Sequence, residues 1–175
     1  MSVGLTPAPN RRLAGNLVGY FMDISELVAP DAVIASLKAS GAKQALQEIG
    51  RRASDAYGVN CREVTDGLLA REKLGSTAMG SGVAIPHARV AKLDRICGLF
   101  ARLDKPVEFE APGGQGVDLM FTLLAPEEAG ADHLRALARV SRLLREDAMR
   151  DKLRASSDPT ALHALLLDVS ASRAA

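Results

Sequence analysis

Helix-like and strand-like apolar patterns alternate along this chain, and the alternation limits the folds open to it. Apolar residues recur with a helical period at the start of the pattern: Ala42, Ala45, Leu46, Ile49, Ala53 and Ala56. Residues 83–85 follow as a short apolar run that predicts a buried strand, and residues 96–103 and 117–124, rich in Val, Ile, Leu and Phe, are two further strand candidates. Helices that interleave with short strands indicate an α/β domain in which helices flank a small, mixed β-sheet.

Capping signals set the expected limits of the first two helices. Ser40 is predicted to cap the helix that contains residues 42–56, and Asn60 to cap the next one, with Glu63 as its capping-box partner. The second helix is expected to run through Val64, Leu68 and Leu69 and to end near Gly75. Residues 75–82 are predicted to be a loop.

Turn and capping residues organise the rest of the chain. Pro86 is predicted to end the first strand, while Pro106 and residues 111–114 predict turns between the other two. Asp132 is predicted to cap a long helix with four inward-facing residues: Leu134, Leu137, Ala138 and Leu144. Asp158 and Pro159 open a last helix, which is expected to bury Leu162, Leu165, Leu166 and Val169.

Charge and composition exclude several classes of protein. Of 175 residues, 47% are hydrophobic and 25% charged, which is typical of a globular protein and excludes a disordered or collagen-like chain. A net charge of +1 and the absence of Trp argue against a general nucleic-acid binder. The longest stretch without charged residues, residues 74–88, is rich in Gly and Ser and contains a histidine, so no membrane insertion is expected.

The chain ends and the cysteines suggest how the domain is bounded. Residues 1–21 are interpreted as an N-terminal extension, either disordered or a cloning remnant or over-long start, with the domain occupying residues 22–175 and the natural chain opening at Met22. Cys61 and Cys97 belong to no CxxC pattern, so we expect free thiols in a reducing cytoplasm.

Histidines are the first candidates for chemistry. His163 lies in the predicted last helix with no cluster of reactive residues around it in the sequence, and is interpreted as structural or exposed. His133, taken alone, would be interpreted as structural. His87 follows a proline at the end of a strand, just after a glycine-rich loop. That position suits anion binding, although a plain loop histidine after a turn explains the spacing equally well.

Known nucleotide, zinc and serine-nucleophile motifs are absent. The glycine-rich segment has Ser81 where a P-loop needs lysine, and Ile85 where a dinucleotide fingerprint needs its third glycine. No HExxH, zinc-ligand spacing or G-x-S-x-G occurs. The remaining hypothesis is a phosphate-like anion bound at a histidine, without nucleotide or metal.

The segment REKLGSTAMGSGVAIPHAR, residues 71–89, closely resembles the phosphorylation site of one protein family. The family is the fructose/mannitol-type EIIA domains of the bacterial phosphoenolpyruvate-dependent phosphotransferase system. The resemblance continues through LLAP at residues 123–126 and DHL at 132–134, and so covers the chain from about Met22 to the last helix. The length of the chain and the sequence MDISEL at residues 22–27 are most similar to the nitrogen-related branch of this family, EIIA-Ntr.

This resemblance implies roles for three residues, and the chemistry of phosphate binding adds two more. His87 matches the phosphorylated histidine, and Arg71, 16 residues upstream, matches the active-site arginine. His133 matches the second active-site histidine. For Arg71, the alternative is a surface arginine at a helix end. An arginine can present a planar fork of N–H donors to phosphoryl oxygens. A histidine at the first position of its helix, as expected for His133, can donate a hydrogen bond to the same group. Backbone N–H groups at Ser81 and Gly82 would complete the phosphate-binding site. No cofactor or metal is expected.

Two functions of different class remain open. In the first, the protein is a regulatory component that accepts phosphate from an HPr-like phosphocarrier (NPr) and whose phosphorylation state selects partners, such as potassium-transport or sensor-kinase proteins. In the second, it is a sugar-specific EIIA that passes phosphate to an EIIB domain for carbohydrate uptake. The sequence contains no EIIB, permease or HPr segment, which favours regulation.

Overall fold

The computed structural model describes residues 23–110 and 116–171. The predicted extension at residues 1–21, the predicted start at Met22 and the predicted turn at residues 111–114 lie outside these ranges, and so does the side chain of Val169. Six helices are present among the described residues: α1 Ile24–Leu27, α2 Ala42–Tyr57, α3 Cys61–Lys73, α4 Gly130–Arg145, α5 Asp147–Ala155 and α6 Pro159–Ala171. Six strands accompany them: β1 Val28–Leu37, β2 Ala78–Gly80, β3 Val83–Ala84, β4 His87–Arg89, β5 Cys97–Val107 and β6 Val117–Ala125.

The strands form one mixed sheet, as the sequence predicts. The order is β1-β5-β6-β3-β2, and β4 continues beyond β3 along the same edge of β6. The β1–β5, β3–β6 and β4–β6 pairs are parallel, whereas β5–β6 and β2–β3 are antiparallel. Helices pack against this sheet around a core that includes Phe100 and Phe121, both fully buried. The predicted fold class, a small mixed sheet flanked by helices, is therefore confirmed.

The predicted helices α2, α3 and α6 are confirmed, with one corrected cap. Asn60 accepts a hydrogen bond from Glu63 N at 3.0 Å, and Asp158 caps α6 by accepting from Ala161 N, also at 3.0 Å. Ser40 is not the N-cap of α2, which is Gly41. Ser40 lies one residue earlier, where its backbone N–H and its hydroxyl both donate to the side-chain oxygen of Gln44.

Two predictions of irregular structure are wrong because short pairings override local turn signals. Residues 78–80, in the predicted loop, form β2 by pairing with β3. Pro106, taken as a turn signal, lies inside β5. The β5–β6 register shifts between Arg102 and Val107, and such an irregularity tolerates a residue without a backbone N–H. Strand β1 and the short β4 were not predicted.

The predicted start and inward face of α4 also need correction. Asp132 is not the N-cap, because a turn closed by Ala129 N and Pro126 O starts the helix at Gly130. The inward face also differs from the prediction, since Leu134 is 70% exposed and Ala138 is exposed. The prediction is confirmed for Leu144, which is buried, and Leu137 packs against the core. The other buried residues are His133, Ala136, Val140 and Leu143.

None of the helices in residues 23–110 and 116–171 is both long enough and apolar enough to span a bilayer.

Candidate functional site

Helix α3 brings Arg71 to His87 at the start of β4. A Cβ atom on Gly67 would lie 3.1 Å from the Cβ of Ala88, so the glycine lets the helix approach the strand closely. Arg71 lies one helical turn further on, on the same face of α3. Its Nε–H donates to Nε2 of His87 at 3.0 Å. The structure thus joins two of the residues that the sequence singled out.

The hydrogen bonds of His87 define its tautomer. The Nδ1 atom lies 3.0 Å from the carbonyl oxygen of Ile85. A carbonyl only accepts, so Nδ1 carries the ring proton and Nε2 carries the lone pair that receives the Arg71 bond. Nε2 is consequently the nucleophilic atom of a neutral imidazole held in place from both sides.

His133 approaches the same ring from α4. The two imidazole centroids lie 5.4 Å apart in an edge-to-face arrangement, with 75° between the planes. His133 is only 8% exposed, and its Nε2 has no hydrogen-bond partner among the described residues. A buried polar atom without a partner costs about 1–3 kcal/mol, so its retention beside a nucleophile points to a ligand. The histidine is the fourth residue of α4 and not its first, as predicted.

Burial and nearby cations keep both imidazoles neutral. Desolvation is the main cause that lowers the pKa of His87 below 6.5, and the Arg71 cation adds to it, while the Ile85 hydrogen bond acts in the opposite direction. Desolvation also lowers the pKa of His133, with smaller contributions from His87 and Arg89. At neutral pH the site therefore offers a neutral nucleophile surrounded by cations that suit an anionic group.

We expect the imidazole of His87 to titrate below the ordinary histidine pKa of about 6.5, when followed by nitrogen-15 NMR of the ring. Between the folded-state pKa and 6.5, the unfolded chain binds more protons than the folded chain. The free energy of unfolding should thus fall as the pH drops below 6.5. A His87 pKa at or above 6.5 would contradict this description of the site.

The structure does not bring Ser81 and Gly82 to this pair of histidines. They form the β2–β3 turn, where the Ser81 carbonyl accepts from Arg154 and the Gly82 carbonyl accepts from Asp118 N. In the parallel registers along β6, Val83 is opposite Leu119 and His87 is opposite Leu123. Four residues along a strand correspond to about 13 Å, so the turn lies well away from His87.

Sequence reasoning missed the supporting residues near Arg71. The guanidinium also donates through Nη1 to the carbonyl of Gly75 at 2.8 Å, and the carboxylate of Glu72 binds Thr77. No motif signalled these contacts, although all three residues lie in the segment that carries the family resemblance. His163 lies apart and bonds the Val28 carbonyl at 3.0 Å, which agrees with its interpretation as structural.

Comparisons with known proteins agree on the kind of domain. A family model described as "Phosphoenolpyruvate-dependent sugar phosphotransferase system, EIIA 2" matches residues 26–169. A nitrogen regulatory protein of Bradyrhizobium diazoefficiens is 57% identical over 145 residues, which cover 83% of this chain and 95% of that protein.

Solved structures show the same relationship. The crystal structure of the nitrogen regulatory protein IIA-Ntr from Neisseria meningitidis matches with a TM-score of 0.76 and 34% identity, covering 82% of this chain and 98% of that one. The mannitol-specific IIA of Escherichia coli, solved by NMR in complex with phosphorylated IIB, matches with a TM-score of 0.68 over 80% of this chain and 98% of that one. At 18% identity, the second match concerns the fold alone.

Proposed function

The chain belongs to the EIIA 2 family of the phosphoenolpyruvate-dependent sugar phosphotransferase system, and on this premise we propose that it is a nitrogen-regulatory EIIA component that accepts a phosphoryl group on His87. The observation that carries the proposal is the pair of contacts to the His87 ring: Nδ1 lies against the Ile85 carbonyl and Nε2 against the Nε–H of Arg71, which together leave the lone pair on Nε2. The proposed donor is an HPr-like phosphocarrier (NPr) bearing phosphohistidine.

The proposed transfer is a displacement at phosphorus. The Nε2 lone pair of His87 attacks the phosphoryl group, the new N–P bond forms, and the donor's N–P bond breaks with its electron pair returning to the donor imidazole. The proton on Nδ1 of His87 stays in place, and the carbonyl of Ile85 stabilises the positive charge that the ring acquires. The His87 ring therefore needs no separate base.

Arg71 and His133 are proposed to bind the phosphoryl oxygens. Arg71 lies on the Nε2 side of the ring, so it has to release Nε2 and turn its N–H groups to the incoming oxygens, a geometry that a guanidinium suits. The unpartnered Nε2 of His133 would donate to another oxygen. Ser81 and Gly82 remain proposed phosphate ligands from sequence only, and their distance from His87 gives them no support.

Regulation is favoured over sugar transport by the relatives named for nitrogen regulation. A phosphoryl group adds about two negative charges beside Arg71 and Arg89, enough to make or break a protein interface. Potassium-transport or sensor-kinase proteins are the proposed targets. The free cysteines, Cys61 and Cys97, fit a reducing cytoplasm as the compartment.

The alternative, a sugar EIIA, rests on the family description. A two-stage experiment separates the alternatives. The chain is first labelled from a phosphorylated HPr-type donor and repurified, and is then offered a fructose- or mannitol-type EIIB domain. We expect labelling in the first stage and retention of the label in the second. Rapid discharge to EIIB would favour sugar transport, and failure of the first stage would contradict the proposal.

A further inference from the structure

We propose that Glu72 is a positioning residue for the transfer, because its carboxylate closes a hydrogen-bonded ring that holds Arg71 against His87. The inference rests on the proposed function and extends it to residues that do not touch the phosphoryl group. The ring consists of Arg71, Glu72, Thr77, Ile85 and His87 and is called the Glu72 ring below.

The contacts of the Glu72 ring form an unbroken path. Both carboxylate oxygens of Glu72 accept from the backbone N–H of Thr77 at 3.1 Å, and one also accepts from its hydroxyl. The Thr77 carbonyl accepts from Ile85 N at 3.0 Å. The Ile85 carbonyl in turn receives Nδ1–H of His87, and Nε2 of His87 receives Arg71, the chain neighbour of Glu72.

The segment between Arg71 and Thr77 depends on these bonds, since it has little apolar anchoring. Leu74 is 84% exposed, and Gly75 has a φ of +150° and no side chain. Thr77, at 8% exposure, is the buried end of the segment, and its N–H and hydroxyl are both satisfied by Glu72. A hydrogen bond to a carboxylate is roughly twice as strong as a neutral one, so Glu72 fixes the segment.

The position of this segment matters because it also orients Arg71. The Gly75 carbonyl accepts from Nη1 of Arg71 at 2.8 Å, which leaves Nε–H aimed at His87. Loss of the Glu72 carboxylate would free Thr77. The Gly75 carbonyl, which binds Arg71, and the Thr77 carbonyl, which binds Ile85 N, would then lose their fixed positions. The guanidinium and the imidazole would then lose their fixed relative position, and a displacement of about 1 Å at a reacting centre can cost about 100-fold in rate.

The test measures kcat for phosphorylation and KM for the phosphorylated HPr-type donor separately. We expect Glu72→Ala and Thr77→Val to lower kcat by about 10- to 100-fold, with KM close to that of the wild type. Thr77→Ser keeps the hydroxyl and should restore most of the rate. Asp66→Ala is the matched control, because this exposed acid lies on the same helix and pairs with Arg62 instead of with the segment that holds Arg71. Wild-type kcat in both Glu72→Ala and Thr77→Val would overturn the inference.

Two further readouts separate positioning from a general loss of structure. In an Arg71→Ala background, Glu72→Ala should cause no additional loss of kcat, whereas full additivity would contradict action through Arg71. Ring nitrogen-15 NMR without any donor should show Nε2 of His87 losing its hydrogen bond in Glu72→Ala. Thr77→Val supplies the same comparison if Glu72→Ala does not fold. Absence of phosphorylation in the wild type would refute the proposed function, while unchanged NMR spectra would refute the Glu72 ring.

Discussion

Phosphorylation by an HPr-type donor is expected to fall to background in His87→Ala. The substitution removes the only imidazole nitrogen in the described site whose lone pair faces Arg71. No neighbouring group replaces it, because the other histidine of the site, His133, is only 8% exposed. The measurement is incorporation of labelled phosphate from the donor, with thermal unfolding as the check that the domain still folds.

His163→Ala provides the matched control for this experiment. It makes the same change at a histidine that bonds the Val28 carbonyl and has no contact with Arg71. The control should be labelled like the wild type once the folded fraction is taken into account. Normal labelling of His87→Ala would contradict the assignment of the nucleophile.

Arg71→Ala is expected to produce the second-largest effect, a fall of about 100- to 1,000-fold in kcat, which is typical for loss of one donor to a developing anion. Arg71→Lys should recover only part of the rate, because an ammonium keeps the charge but loses the planar fork. Removal of the cation should also raise the pKa of His87, since Arg71 lowers it in the wild type.

Arg62→Ala is the control for charge on α3. Its side chain is 91% exposed and pairs with Asp66, one turn along the helix, so the rate should not change. If Arg71→Ala were labelled as fast as Arg62→Ala, Arg71 would have no role in the transfer and would be a surface arginine at a helix end.

The sequence was sufficient to predict the residues that meet at the site, because a short contiguous segment carries most of them. Arg71 and His87 lie 16 residues apart in a segment that resembles one family closely, and the comparisons confirm that family. The predicted helices with clear caps, such as the one that Asn60 opens, are also correct. A local sequence signal predicts structure correctly where the hydrogen bond that it implies, such as the N-cap bond of Asn60, is also present in the folded protein.

The sequence failed where pairing partners distant in the chain decide the local structure. Strand β1 contains Pro30 and Asp31, which suggest a turn, yet its pairing with β5 accommodates them through a register shift between Val28 and Val33. Strand β4 has only three residues and exists because β6 offers an unpaired edge beyond β3. Neither pairing leaves a periodic signal in the sequence.

The same limit applies at the site. Ser81 and Gly82 have the composition of a phosphate-binding loop, but Asp118 and Arg154, from β6 and α5, bind this turn and hold it elsewhere. His133 was expected at the very start of its helix, whereas the start depends on a turn that begins at Pro126. Helix α4 nevertheless places His133 against His87, with the two ring centroids 5.4 Å apart.

The central claim is that Nε2 of His87 carries the phosphoryl group. The direct measurement is NMR of ring nitrogen-15-labelled protein, phosphorylated in place by the HPr-type donor and observed before the label hydrolyses. The account predicts phosphorus–nitrogen coupling at Nε2 of His87, with Nδ1 still protonated beside the carbonyl of Ile85. Coupling at Nδ1, or at His133 or His163, would contradict it.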